Sequence, residues 1–242
     1  MKVLVIVATL NEFGNVKILT DGIRKQSLNF DILFIDDSSN DGTRECILEM
    51  IKADSKISLI SRSRRLGIGS AHLIGIKKAY EEGYEKVITL DADLSHDPAV
   101  IPKILEVSNQ ANYVVGTRWS KVGGSSDYKY FRSFLSKAAN ALCRIMIPSG
   151  ISEYTSSYRC YDKRAMRAVL QEHLPGRGYG FFIAVTETIY SAGLSMLEYP
   201  IHFKQRFSGR SKIPKLQILY SSILLAKLFI QRQKGGKKYV NL

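Results

Sequence analysis

Val87-Ile88-Thr89-Leu90-Asp91-Ala92-Asp93-Leu94-Ser95-His96-Asp97-Pro98 sets a short apolar, β-branched run against an acidic turn that closes on a helix start. Residues 87–90 have the composition of a strand buried on both faces, which a parallel sheet covered by helices requires. Asp97-Pro98 reads as an N-cap with proline in the following turn. Outward from this stretch the same alternation recurs. Residues 3–8, 32–35, 57–60 and 113–115 are further strand-like runs. Residues 15–25, 43–53, 69–82 and 98–108 carry apolar side chains at three- and four-residue spacing and read as helices. The succession predicts an α/β fold: a doubly wound, mostly parallel sheet flanked by helices. From about Trp119 the pattern is less regular, with a Gly/Ser loop at 122–126 and a helix at 131–147.

In such sheets ligands bind at the carboxyl ends of the strands, and four polar motifs fall there: Asn11-Glu12, Asp36-Asp37, Arg62 to Arg65, and Asp91-Ala92-Asp93. On extended backbone Asp91 and Asp93 point the same way, within reach of one ion. Their oxygens suit Mg²⁺ or Mn²⁺, which complete their shells with water and phosphate. The competing reading is an acidic turn with Asp97 as a cap. Asp37 is placed to accept hydrogen bonds from a base or ribose, whereas Asp41-Gly42-Thr43 reads as a turn into the next helix. Leu66-Gly67-Ile68-Gly69-Ser70-Ala71 allows close backbone approach but has neither the G-x-G-x-x-G spacing nor a Walker lysine.

Charge is distributed unevenly. Lys and Arg number 35 against 22 Asp and Glu, a formal net charge of +13, yet no acidic residue follows Glu198. Ten basic residues lie between Lys204 and Lys238, around an apolar stretch at 216–230 that contains Lys227 and is shorter than the roughly 20 residues of a membrane span. An anionic membrane surface is the natural partner of such an arm. Nucleic acid is not expected, because no recognition motif interleaves basic and aromatic residues. Three widely spaced cysteines point to a reducing, cytoplasmic setting, and the first apolar run reads as a strand rather than a leader.

Taken in order, Thr9-x-Asn11-Glu12, Asp36-Asp37-x-Ser39-x-Asp41-Gly42-Thr43, Leu66-Gly67-x-Gly69-x-Ala71, Asp91-Ala92-Asp93-Leu94-Ser95-His96-x-Pro98 and Gly116-Thr117-Arg118 resemble glycosyltransferase family 2. Downstream, Arg132-x-x-x-Ser136, Thr155-Ser156-x-Tyr158-Arg159, Gly178-Tyr179 and Arg206-x-x-Gly209-x-Ser211-Lys212 continue the pattern, and the branch most resembled is the dolichyl-phosphate mannose synthases.

The resemblance implies a GT-A catalytic domain over 1–215 and an amphipathic helix with a basic tail over 216–242. It implies that Ala8, Leu10, Glu12, Ile35 and Asp37 line the nucleotide pocket, with Asp91, Ala92 and Asp93 beside the ribose and diphosphate. Asp93 and Ser95 would hold Mg²⁺ or Mn²⁺, and Arg118 would face the donor phosphates. Arg132 and Ser136 would grip the acceptor phosphate, and Arg206 and Lys212 would close over the donor. The implied reaction is inverting transfer of a sugar from a nucleotide-diphosphate sugar, GDP-mannose first, to a polyprenyl or dolichyl phosphate. Other hexoses and a saccharide-hydroxyl acceptor are the alternatives. The protein would sit peripherally on the cytosolic face of a membrane, with or without an anchoring partner subunit. Ala184 stands where relatives carry an acidic residue near the sugar, with Glu187 nearly one turn later.

Overall fold

The computed structural model describes residues 1–26, 29–120, 124–125, 130–175 and 178–204. β1 (Val3–Thr9), β2 (Asp31–Asp36), β3 (Ile57–Ser61) and β4 (Lys86–Asp91) alternate with α1 (Phe13–Arg24), α2 (Thr43–Ala53) and α3 (Ile68–Glu81). A 3₁₀ turn (Pro98–Val100) leads into α4 (Ile101–Val107) and β5 (Tyr113–Thr117). Then follow β6 (Gly124–Ser125), α5 (Tyr130–Met146), β7 (Arg159–Asp162), α6 (Lys163–Leu170), α7 (Tyr179–Ser191), β8 (Met196–Pro200) and β9 (His202–Phe203).

Seven strands form one sheet in the order β3-β2-β1-β4-β7-β5-β8. All neighbours pair in parallel except β7, which runs antiparallel between β4 and β5. The doubly wound, mostly parallel sheet expected from the strand pattern is therefore present. Alternate side chains of β1 divide the core. Leu4 and Ile6 pack with α3, α6 and α7, while Val3, Val5 and Val7 pack with α1 and α4. Full burial of each such side chain contributes about 1.5–3 kcal/mol. Gly75 lets α3 lie close on the sheet, since a Cβ there would stand 2.7 Å from Ile6 Cδ1.

Two strands of the seven-stranded sheet were not legible as strands, nor was the short β6-β9 pair. β7 carries Arg159, which is 0% exposed. The guanidinium is accommodated because its N–H groups donate to the carbonyls of Ser156 (2.6 Å), Tyr154 (2.8 Å) and Phe182 (2.9 Å), to Thr186 Oγ1 (3.1 Å) and to the Tyr113 hydroxyl. It thereby ties the sheet to α7. β8 contains Glu198 and ends in Pro200, which its edge position tolerates. Among the described residues no helix is long and apolar enough to cross a membrane. The arm at 216–242 lies outside the described residues.

His72, on α3, is 0% exposed and packs against Phe181 and Phe182 of α7. Burial, with the charges of Arg159 and Arg62, lowers its pKa from 6.5 to about 3. The unfolded chain takes up this proton as pH falls below 6.5, and the native protein does not until about pH 3, so the stability His72 contributes at neutral pH is lost through that window. One such group should lower unfolding free energy by about 1.4 kcal/mol between about pH 7.5 and about pH 5.5. In urea denaturation His72→Leu should remove that increment; an identical pH dependence in the variant would contradict the assignment.

Candidate active site

The carboxyl edge of the sheet gathers the sequence motifs. Strand register sets Ala8 beside Ile35 on one side and Asp91 on the other. The described non-glycine residues with left-handed backbone are Asn11 (φ 54°), Ser38 (φ 66°) and Leu94 (φ 65°), which follow β1, β2 and β4. Such strained positions concentrate where a chain must present groups to a ligand. Local bonds hold each turn. Thr9 Oγ1 donates to Asp36 Oδ1 (3.1 Å), Ser39 N to Asp36 Oδ2 (3.0 Å), and Asn11 N to Ser39 Oγ (2.8 Å). Glu12 N donates to Thr43 Oγ1 (2.7 Å), and the Glu12 carboxylate accepts from Asn15 Nδ2 (2.6 Å). Gly42 (φ 91°) begins α2, and Asp41 accepts from Thr43 N (3.1 Å), so this segment is the turn anticipated.

Asp37 lies at the edge but its carboxylate is already engaged. It pairs with Arg62 Nη2 (2.9 Å) and accepts from the backbone N–H of Leu66 (2.7 Å) and Gly67 (2.8 Å). Arg62 in turn donates to Ser70 Oγ (2.5 Å) and Gly67 O (3.2 Å). Asp37 and Arg62 thus shape the glycine loop ahead of α3. The Ile35 side chain is 0% exposed and belongs to the core beneath Gly75.

The acidic triplet departs from extended geometry. β4 ends at Asp91 and the chain turns at once through Ala92 and Asp93, so the two carboxylates do not share the environment that extended spacing predicts. Asp91 has 31% of its side chain exposed, whereas Asp93 is buried. Asp93 Oδ1 accepts from both Ser95 N (3.0 Å) and Ser95 Oγ (2.5 Å), which gathers carboxylate and hydroxyl oxygens at one point. Asp97 caps the next turn by accepting from Ala99 N (3.0 Å).

His96 supports the triplet from below. Asp91 N donates to its Nδ1 (3.1 Å), which leaves the ring proton on Nε2. Burial lowers its pKa, against the opposing pull of Asp91 and Asp93, and the ring is neutral. The imidazole packs on Tyr158 (5.1 Å between centroids) and Phe203 (5.3 Å). On Phe203 also lies the Arg118 guanidinium, 5.0 Å from the ring centre. Arg118 Nε donates to Glu153 Oε2 (2.9 Å) and Nη2 to Thr155 Oγ1 (3.2 Å). Glu153 is 0% exposed. Burial works against its ionisation, but the Arg118 charge and bonds from Arg118 and Thr155 outweigh it and hold the carboxyl below its usual range.

Arg132 and Ser136 lie one turn apart on α5. Arg206 and Lys212 lie outside the described residues. Leu10 is partly exposed at the end of β1, and Ala92 is buried. In the middle of α7 Ala184 is buried, and Glu187 accepts from Ser191 Oγ (2.6 Å). Arg62 and His96 stand inside motifs quoted from the sequence without a role assigned to either, and Glu153, where the family pattern has Asp, takes its place at this edge through its pairing with Arg118.

Residues 4–170 match the family described as Glycosyl transferase family 2. The chain belongs to that family. It is 30% identical over 213 residues to the undecaprenyl-phosphate mannosyltransferase of Micrococcus luteus, covering 88% of each chain. It is 31% identical over 214 residues to the polyprenol monophosphomannose synthase of Mycolicibacterium smegmatis, covering 88% of this chain and 81% of that one. The glucosyl-3-phosphoglycerate synthase of Mycobacterium tuberculosis, solved with Mn²⁺, uridine diphosphate and glucosyl-3-phosphoglycerate, shares the fold. Its TM-score is 0.66 at 16% identity, over 98% of this chain and 81% of that one. As a family 2 member the protein is a glycosyltransferase, and the edge described above is its candidate active site.

Asp93 and Ser95 fit a hard divalent cation. Among the described residues no cluster of three His, Cys, Asp or Glu side chains could enclose a metal by itself. One buried carboxylate with a hydroxyl beside it instead suits an ion that takes its remaining ligands from water and diphosphate.

Proposed function

We propose that the protein transfers a sugar, mannose first, from a nucleotide-diphosphate sugar to a polyprenyl phosphate with inversion at the anomeric carbon. The observation that carries this reading is the chain of contacts from the acidic turn through His96 and Phe203 to Arg118, which Glu153 holds by the turn as a permanent cation. A cation fixed beside a metal-binding turn is what a departing nucleoside diphosphate needs. Two relatives named for mannose transfer to polyprenyl phosphates, similar along most of this chain, support the lipid acceptor.

In this reading Ala8, Leu10, Glu12 and Asp91 border the nucleotide, and GDP-mannose is the donor. Asp37 and Arg62 act on the nucleotide by shaping the 66–69 loop. Asp93 and Ser95 hold Mg²⁺ or Mn²⁺, as the Mn²⁺ and uridine diphosphate of the mycobacterial structure suggest. The bound ion supplies charge stabilisation to the leaving diphosphate. Arg118 faces the donor phosphates, Arg132 and Ser136 orient the acceptor phosphate, and Arg206 and Lys212 would close over the donor. A phosphate acceptor is already ionised at neutral pH, so its oxygen attacks the anomeric carbon without a general base. The basic arm rests on an anionic cytosolic membrane surface, alone or beside an anchoring subunit.

Purified protein with Mg²⁺, labelled nucleotide sugars and polyprenyl phosphate should yield lipid-linked sugar, with the phosphate-free polyprenol as control. No product from any donor would sink the reading. Arg132→Glu should lower kcat/KM for polyprenyl phosphate by about 10²-fold or more. A loss of under about threefold would favour a neutral saccharide acceptor instead.

A further inference from the structure

Trp119 is the only tryptophan in the chain, and it follows Arg118 directly. The Arg118 guanidinium lies 5.2 Å from the indole centroid, and Lys137 Nζ lies 5.8 Å from the same centroid. At these distances a ring face attracts a cation, so one indole draws two like charges together. Glu153 pairs with Arg118, whereas Lys137 meets no carboxylate within 4.0 Å among the described residues. The indole Nε1 is buried and finds no acceptor among the described residues. A buried N–H left in that state favours an incoming acceptor oxygen. Lys137 lies on α5, the helix that also carries the acceptor positions assigned above.

We propose that Trp119 and Lys137 are positioning residues for the acceptor phosphate: the indole holds Lys137 opposite Arg118, and its N–H and the Lys137 ammonium receive phosphate oxygens. This rests on the lipid-phosphate reading of the active site. It extends the acceptor end from α5 across to the residues that follow β5 and assigns the selection of a phosphomonoester over an alcohol partly to Trp119. The chemistry selected is an anionic tetrahedral headgroup, independent of polyprenol length.

Because the chain has one tryptophan, its emission reports on this position alone. Farnesyl phosphate titrated into the full chain with nucleoside diphosphate and Mg²⁺ should change Trp119 fluorescence saturably, and farnesol should not. Lys137→Gln, at an exposed position, should weaken that binding and raise the KM for polyprenyl phosphate about tenfold, with the donor KM within about twofold of wild type. Trp119→Phe keeps a ring but not the N–H and should raise the acceptor KM about threefold. An unchanged acceptor KM in both variants, or equal quenching by farnesol, overturns the proposal. A wild type that makes no lipid-linked sugar yet shows phosphate-dependent, Lys137-dependent quenching sinks the assigned reaction and upholds the anion subsite.

Discussion

Asp93→Asn is expected to lower kcat by about 10³-fold while leaving the fold intact, because it removes a charge and little else. The asparagine oxygen can still accept from Ser95 N and Ser95 Oγ, the two bonds that shape the turn. What disappears is the anionic oxygen proposed to bind Mg²⁺ or Mn²⁺. Two measurements separate this from a folding defect. Thermal unfolding without metal should match wild type, and the stabilisation that Mn²⁺ with nucleoside diphosphate confers on wild type should be absent. Turnover within about tenfold of wild type would show that the buried carboxylate is structural and would move the metal elsewhere. Asp91→Asn should act differently. Asp91 is partly exposed, and its carboxylate stands 3.7 Å from the neutral His96 ring, so its loss should fall mainly on nucleotide affinity.

Glu153→Leu carries the second large effect, and it falls on stability and turnover together. Removing one partner of a buried ion pair leaves the other uncompensated and costs about 3–5 kcal/mol. Glu153 is wholly buried, pairs with Arg118, and also accepts from Thr155 N (2.9 Å), Thr155 Oγ1 (2.7 Å) and Ser156 N (3.1 Å). The substitution therefore strips the 153–156 turn of its organising acceptor. For a chain of this size the melting temperature should fall by about 10 °C. Arg118 would lose the contact that fixes it on Phe203, so kcat should drop as well. Glu153→Asp tests the division, because it keeps the charge on a shorter stem. It should recover most of the stability and part of kcat. Full activity in a folded Glu153→Leu protein would detach Arg118 from the leaving-group role.

Much of this was legible in the primary structure, for identifiable reasons. Strands buried on both faces must be apolar and β-branched along their length, which is why β1 to β5 could be read off. Turns that end such strands must present polar groups, which is why Asp91 to Ser95 and Asp36 to Thr43 stood out. Period and spacing do not reveal which carboxylates an interior cation already occupies. Asp37 reads as a ligand group in the sequence, and only the fold shows that Arg62 stands 2.9 Å from it. Extended spacing alone makes Asp91 and Asp93 equivalent; the family resemblance already sets Asp93 with Ser95 apart, and the end of the strand at Asp91 gives the two carboxylates different surroundings. β7 escaped because Arg159 disguises a central strand as a polar segment.

From sequence alone came the architecture, the family and the edge of the sheet that carries chemistry, since these depend on local composition and on motifs in fixed order. Tertiary structure alone decided the electrostatic division of labour. It buried Asp93 and left Asp91 partly open, paired Arg118 with a glutamate 35 positions away, and linked His96, Phe203, Arg118 and Trp119 into one path from the acidic turn to α5. The physical reason is that desolvation and ion pairing depend on distance in space. Residues far apart in the chain set those distances, and no local pattern encodes them.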